Sequence, residues 1–134
     1  MARAAVIGGG LMGHGIAQVL ALGGLEVVVH DPMPEALAAV PGRIAANLEA
    51  LGIDADVRVE VQPELEAAAA GADWVFEAAP ENLELKQDVF ARLDAAAPAG
   101  AILATNTSVM RVGEIAARAA RRGRIVGTHW WNPP

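Results

Sequence analysis

VIGGGLMGHGIAQVL, Val6 to Leu20, opens as an apolar run, places five glycines within its first ten positions, and continues as an apolar helix. Gly8-Gly9-Gly10-Leu11-Met12-Gly13 fits G-x-G-x-x-G directly after a strand and at the start of a helix. Unpaired N–H groups and the positive end of the helix dipole favour a pyrophosphate at such a place. Gly8 then permits the tight turn, Gly10 lets a pyrophosphate approach the backbone of Leu11 and Met12, and Gly13 lets the helix pack close to the strand. A glycine turn alone would serve a flavin as well. Asp31 narrows the choice, lying 23 residues beyond Gly8 at the end of the next apolar run. There a carboxylate accepts hydrogen bonds from both hydroxyls of an adenosine ribose and repels a 2′-phosphate. Pro32 and Met33 offer no arginine for that phosphate, so the expected cofactor is NAD rather than NADP.

Outward from this loop, short β-branched runs alternate with longer alanine- and leucine-rich stretches, the pattern of a parallel sheet wrapped by helices. Strands are expected at Ala4–Ile7, Leu25–His30, Val57–Val61, Asp73–Glu77, Ala101–Ala104 and Arg124–Gly127. The alternation in Val57–Val61 suggests a place near an edge. Helices are expected at Leu11–Leu22, from Glu35 to about Leu51, from Pro63 to Gly71, at Leu83–Ala97 and at Val112–Arg121. Pro41-Gly42 should kink the second helix or divide it in two. The fold class is therefore α/β, a Rossmann doubly wound, mostly parallel six-stranded sheet with helices on both faces.

The chain has 134 residues, enough for one domain with its own core, and 54% of them are hydrophobic. No run reaches the roughly 20 apolar residues of a membrane span, and no signal peptide precedes the first strand, so a soluble cytoplasmic protein is expected. With no cysteine, disulfides, thiolate catalysis and the common zinc cages are excluded, and the lone histidines suggest no metal site. The net charge of −6 argues against a nucleic-acid partner. The four arginines from Arg118 to Arg124 read as the solvated end of a helix. His14 reads as an exposed or cofactor-edge residue, and His30 as a packed or adenine-side residue.

Polar residues follow each later strand on the side where open α/β sheets bind ligands: Glu81 and Lys86, then Asn106 and Ser108, then His129 and Asn132. GGGLMGHGIAQ, EAAPENLELK, ATNTS and GTHWWNPP, in that order and over essentially the whole chain, resemble the NAD-binding domain of the L-3-hydroxyacyl-CoA dehydrogenase family. The resemblance implies that Gly8, Gly10 and Gly13 form the pyrophosphate loop and that Asp31 binds the adenosine ribose. Glu81 and Lys86 would line the nicotinamide-ribose side, with Asn106 beside the cofactor. Ser108 would stand near the substrate oxygen, His129 would be the catalytic base, and Asn132 an orienting group. Imidazole suits removal of a hydroxyl proton near neutral pH. In the family a glutamate about a dozen residues later balances this histidine, and an all-helical domain supplies most of a homodimer interface. Both would lie beyond Pro134, so residues 1–134 are expected to be the NAD-binding domain of something longer and, alone, to bind cofactor with little turnover. The ending Trp130-Trp131 points the same way, since two large aromatics would otherwise lack cover; domain-junction packing is their expected role.

Each position has a plainer alternative. Ser108 could cap the next helix, Lys86 could be a solvated residue paired with Asp88 or Glu84, and Glu81 could be a helix N-terminal charge. His129 could be a strand-end histidine without a task. The implied substrate is a 3-hydroxyacyl-CoA. The short, proline-interrupted stretch Pro34 to Asp56 departs from the long helical hairpin of acyl-CoA enzymes, and E-A-A-P-E and N-P-P lean toward relatives acting on CoA-free 3-hydroxy acids such as carnitine or gulonate. A non-catalytic NAD-binding module is the alternative from another class.

Overall fold

The computed structural model describes residues 2–130. The strands are β1 (Arg3–Ile7), β2 (Glu26–His30), β3 (Val59–Val61), β4 (Trp74–Glu77), β5 (Ile102–Thr105) and β6 (Ile125–Gly127). Between them lie α1 (Leu11–Leu22), α2 (Pro34–Ala50), α3 (Leu65–Ala69), α4 (Leu83–Ala96) and α5 (Val112–Ile115). All pairings are parallel, in the order β3-β2-β1-β4-β5-β6. The order reverses at β1, so β1 and β4 part at their carboxyl ends and open a crevice there.

Alternation along β1 and β2 places helices on both faces. Val6, Val27 and Val29 pack with Ile16, Val40 and Ile44 of α1 and α2. Ala5, Ile7 and Val28 face the opposite way, toward Leu65, Phe90 and Leu93 of α3 and α4. Burying each such aliphatic side chain contributes about 1.5–3 kcal/mol. As expected, β3 lies at the edge, though it is shorter than its alternating pattern.

Division of the second helix, one of the two outcomes expected at Pro41, and the length of the last expected helix are corrected. The second helix is not divided at Pro41: α2 runs through it for 17 residues. Pro41 lacks the N–H for the Leu37 carbonyl, yet Leu37, Val40, Ile44 and Leu48 form one buried stripe that holds both halves to the sheet. The expected helix Val112–Arg121 is α-helical only to Ile115, followed by 3-10 turns at Ala116–Arg118 and Arg122–Arg124. Of its four arginines Arg118 and Arg122 are exposed as expected, but the other two are not simply solvated. Arg121 and Arg124 turn back onto buried Asp94 of α4, whose Oδ2 also accepts the backbone N–H groups of Ala120 and Arg121. Burial raises the Asp94 carboxyl, but the hydrogen bonds from Arg124 and the two amides outweigh it and hold the group below the usual carboxylate range.

Candidate functional site

The turn from β1 into α1 is built by contact. Gly8 has φ +109°, and a Cβ there would lie 2.6 Å from the Ala78 carbonyl oxygen. At Gly13 a Cβ would lie 1.7 Å from the Gly8 carbonyl oxygen, so this glycine sets how closely α1 meets β1. Gly10 differs, since a Cβ there would meet no protein atom within 4 Å and would project into open space. Gly10 is also the N-cap of α1, with no side-chain cap and no acidic residue in the first turn. An anion can therefore approach the helix N-terminus.

Asp31 is oriented by the same loop. The Gly9 N–H donates to Oδ2 at 2.8 Å and the Met33 N–H to Oδ1 at 2.8 Å. Each oxygen keeps capacity for a ribose hydroxyl. His14 is neither exposed nor at the crevice edge: it is buried, and its Nδ1–H donates to the Gly10 carbonyl at 2.8 Å. Asn47 of α2 donates to its Nε2 at 3.1 Å, so the ring ties the loop to the neighbouring helix. His30 is buried and donates from Nδ1 to the Gln62 carbonyl at 3.1 Å while lining the crevice.

At the other end, Glu77 closes β4 as a carboxylate with no exposed surface. Lys86 of α4 is 1% exposed and bonds Glu77 at 2.5 Å, so it is not the solvated residue of the plainer alternative. Glu81 bridges Lys86 at 3.1 Å and Thr107 at 2.8 Å. Burial raises its carboxyl, and the hydrogen bonds from Thr107 and Lys86 outweigh this and hold it below the usual range. Ser108 does not cap α5, whose N-cap is Arg111. Asn106 accepts the Trp130 N–H at 2.9 Å on Oδ1, leaving its NH2 group as the available donor. Trp130 packs edge-on against Phe76, ring centroids 6.0 Å apart.

These ends converge on one crevice of about 740 Å³, within the range of small-ligand sites. Gly8, Gly10, Leu11, Met12 and Asp31 line one part of it, and Glu81, Lys86, Asn106, Ser108 and His129 another. Gly13 lies beneath the loop, and Asn132 lies outside the described residues, as do Trp131, Pro133 and Pro134. The open approach at Gly10, the aimed Asp31 and a crevice lined by residues from Met33 through to His129 fit a dinucleotide. Among the described residues, no group of three or more His, Cys, Asp or Glu is placed to hold a metal ion, and no helix is long and apolar enough to cross a membrane.

Glu77, Thr105 and Thr107 did not stand out in the sequence. A charged residue ending the apolar run DWVFE, with a lysine nine residues later, was the available signal.

Residues 3–134 match the family model described as 3-hydroxyacyl-CoA dehydrogenase, NAD binding domain. The chain is 41% identical to an L-carnitine dehydrogenase of Streptomyces griseus, covering 98% of this chain and 41% of that one. It is 36% identical to the peroxisomal fatty acid beta-oxidation multifunctional protein MFP2 of Arabidopsis thaliana, over 98% of this chain and 19% of that one. The crystal structure of 3-hydroxybutyryl-CoA dehydrogenase from Escherichia coli K12 superposes with a TM-score of 0.92 at 37% identity, covering 98% of this chain and 30% of that one. The chain thus spans less than half the length of these relatives.

Proposed function

The chain belongs to the family of NAD-binding domains of 3-hydroxyacyl-CoA dehydrogenases, and from that premise we propose that it holds the cofactor for oxidation of a 3-hydroxy group to a 3-oxo group, with His129 as general base. The observation that carries this proposal is the convergence of the glycine loop, Asp31, Glu81, Ser108 and His129 on one crevice. NAD, when bound, supplies the hydride acceptor. His129 takes the hydroxyl proton, a task for which neutral imidazole is suited. Ser108, which lines the same crevice, donates to the substrate oxygen, and the Asn106 NH2 group is the donor left for the cofactor. Asn132 is proposed to orient the substrate or bind its oxygen.

A 3-hydroxyacyl-CoA is the proposed substrate. The compact link between β2 and β3 does not count against it, because the Arabidopsis beta-oxidation protein aligns over 140 residues, without room for a long additional hairpin. A CoA-free 3-hydroxy acid is the second candidate, favoured by the higher identity to the carnitine enzyme. A further domain with the carboxylate partner of His129, dimerisation through it, and a cytoplasmic location belong to the same proposal.

The test has two arms. Titration should show NADH binding at least about tenfold tighter than NADPH, and Asp31→Asn should weaken NADH about tenfold or more; equal NADPH binding would overturn the role of Asp31. In the active protein, His129→Gln should abolish turnover of a panel of CoA thioesters and free 3-hydroxy acids while NADH binding stays within about twofold. Undiminished turnover would exclude His129 as base.

A further inference from the structure

Lys86 donates to Glu77 Oε2 at 2.5 Å and to the Ala79 carbonyl at 3.1 Å, and forms an ion pair with Glu81 Oε1 at 3.1 Å. An ammonium has three N–H groups; two are spent on Glu77 and the Ala79 carbonyl, which leaves the third for the side of Glu81, a residue that lines the crevice. Glu77 is itself held on every side, since its Oε2 accepts the Ala79 N–H at 2.6 Å and its Oε1 the Thr105 hydroxyl at 2.5 Å. Thr105 is fully buried on β5 and does not line the crevice. The chain Thr105–Glu77–Lys86–Glu81–Thr107 therefore links the ends of β4 and β5 to the start of α4, and of its two carboxylates only Glu81 reaches solvent, its side chain 42% exposed.

A buried ion pair gives little net stability over an apolar pair of similar volume. Its use here is positional. We infer that Glu77, held by Thr105, is a positioning residue of the cofactor site: it fixes the Lys86 ammonium so that one N–H, shared with Glu81, is presented at the nicotinamide-ribose side. This rests on the proposed placement of Glu81 and Lys86 at the cofactor and adds the buried pair that governs them. Neither Glu77 nor Thr105 touches the cofactor; both act through Lys86.

A binding cycle in the intact protein tests this, with NADH as the probe. Thr105→Val removes the hydrogen bond to Glu77, together with the longer one that Thr105 Oγ1 accepts from the Thr107 N–H at 3.3 Å, without changing charge or volume greatly, and should weaken NADH by about three- to tenfold. The double variant Glu77→Gln with Lys86→Met removes both buried charges and should fold, so a thermal melt is matched first. In that background Thr105→Val should leave NADH affinity within about twofold, because the group through which it acts is gone. In turnover, Thr105→Val should raise KM for NAD while kcat stays within about twofold. Equal losses from Thr105→Val in both backgrounds, or none in the unaltered protein, would overturn the inference. Failure of the unaltered protein to bind NADH, or full NADH affinity in Glu81→Gln, would instead overturn the placement on which it rests.

Discussion

Gly10, at the N-cap of α1, and Gly13, in its first turn, lie three positions apart and tolerate a methyl group very differently. Gly10→Ala meets no protein atom and keeps an ordinary negative φ of −74°, so stability should change by less than about 1 kcal/mol. The methyl group would stand where the proposed pyrophosphate approaches the helix N-terminus, and NADH affinity should fall about tenfold or more. Gly13→Ala would put a carbon 1.7 Å from the Gly8 carbonyl oxygen and should cost more than about 3 kcal/mol, seen as loss of the folded state in urea. G-x-G-x-x-G was legible as a motif, but which glycine serves the ligand and which serves the fold depends on what lies opposite each. The same limit applies to Lys86. Its neighbours Glu84 and Asp88 left a solvated reading open beside the cofactor-side one, and its burial against Glu77 at the end of β4 is not written locally in the sequence.

At the level of elements, α4 ends with a carboxylate in its last turn, where the helix dipole disfavours negative charge. Asp94 is tolerated because Arg124 and the turn at Ala120–Arg121 wrap around it. Its carboxyl is held below the unfolded value of about 3.9. Its stabilisation is therefore complete above that value and lost as pH falls through the lower folded value. Asp94→Asn should destabilise by about 3 kcal/mol at pH near 7, and the gap from the unaltered protein should shrink as pH drops from about 5 toward 2, read by urea unfolding. In α2, Pro41→Ala restores an N–H facing the Leu37 carbonyl and should raise stability by about 1–3 kcal/mol in the same assay. The proline was legible as a helix breaker by local rule. The buried stripe that overrides it is a tertiary property.

Across the whole molecule, the crevice lies where the sheet order reverses, so a dinucleotide bound there as proposed would contact both halves of the sheet. Ligand that binds only the folded state should stabilise it by about 2.7 kcal/mol at a hundredfold excess over Kd. NADH at that level should raise Tm by roughly 5–15 °C, with a clearly smaller shift from NADPH at equal concentration; equal shifts would contradict selection by Asp31. By itself, the sequence determined the parallel sheet, its wrapping helices, the glycine loop and the acid at the end of β2. These follow from side-chain period and backbone freedom, which act over a few residues and are written along the chain. Only the tertiary structure decided that Glu77, Lys86, Glu81, Thr105 and Thr107 form one network, that His14 ties the loop to α2, and that Arg121 and Arg124 enclose Asp94. Charges and hydrogen-bond donors take their partners from whichever strand ends the fold makes neighbours, and burial, which differs from site to site, decides what each partnership is worth.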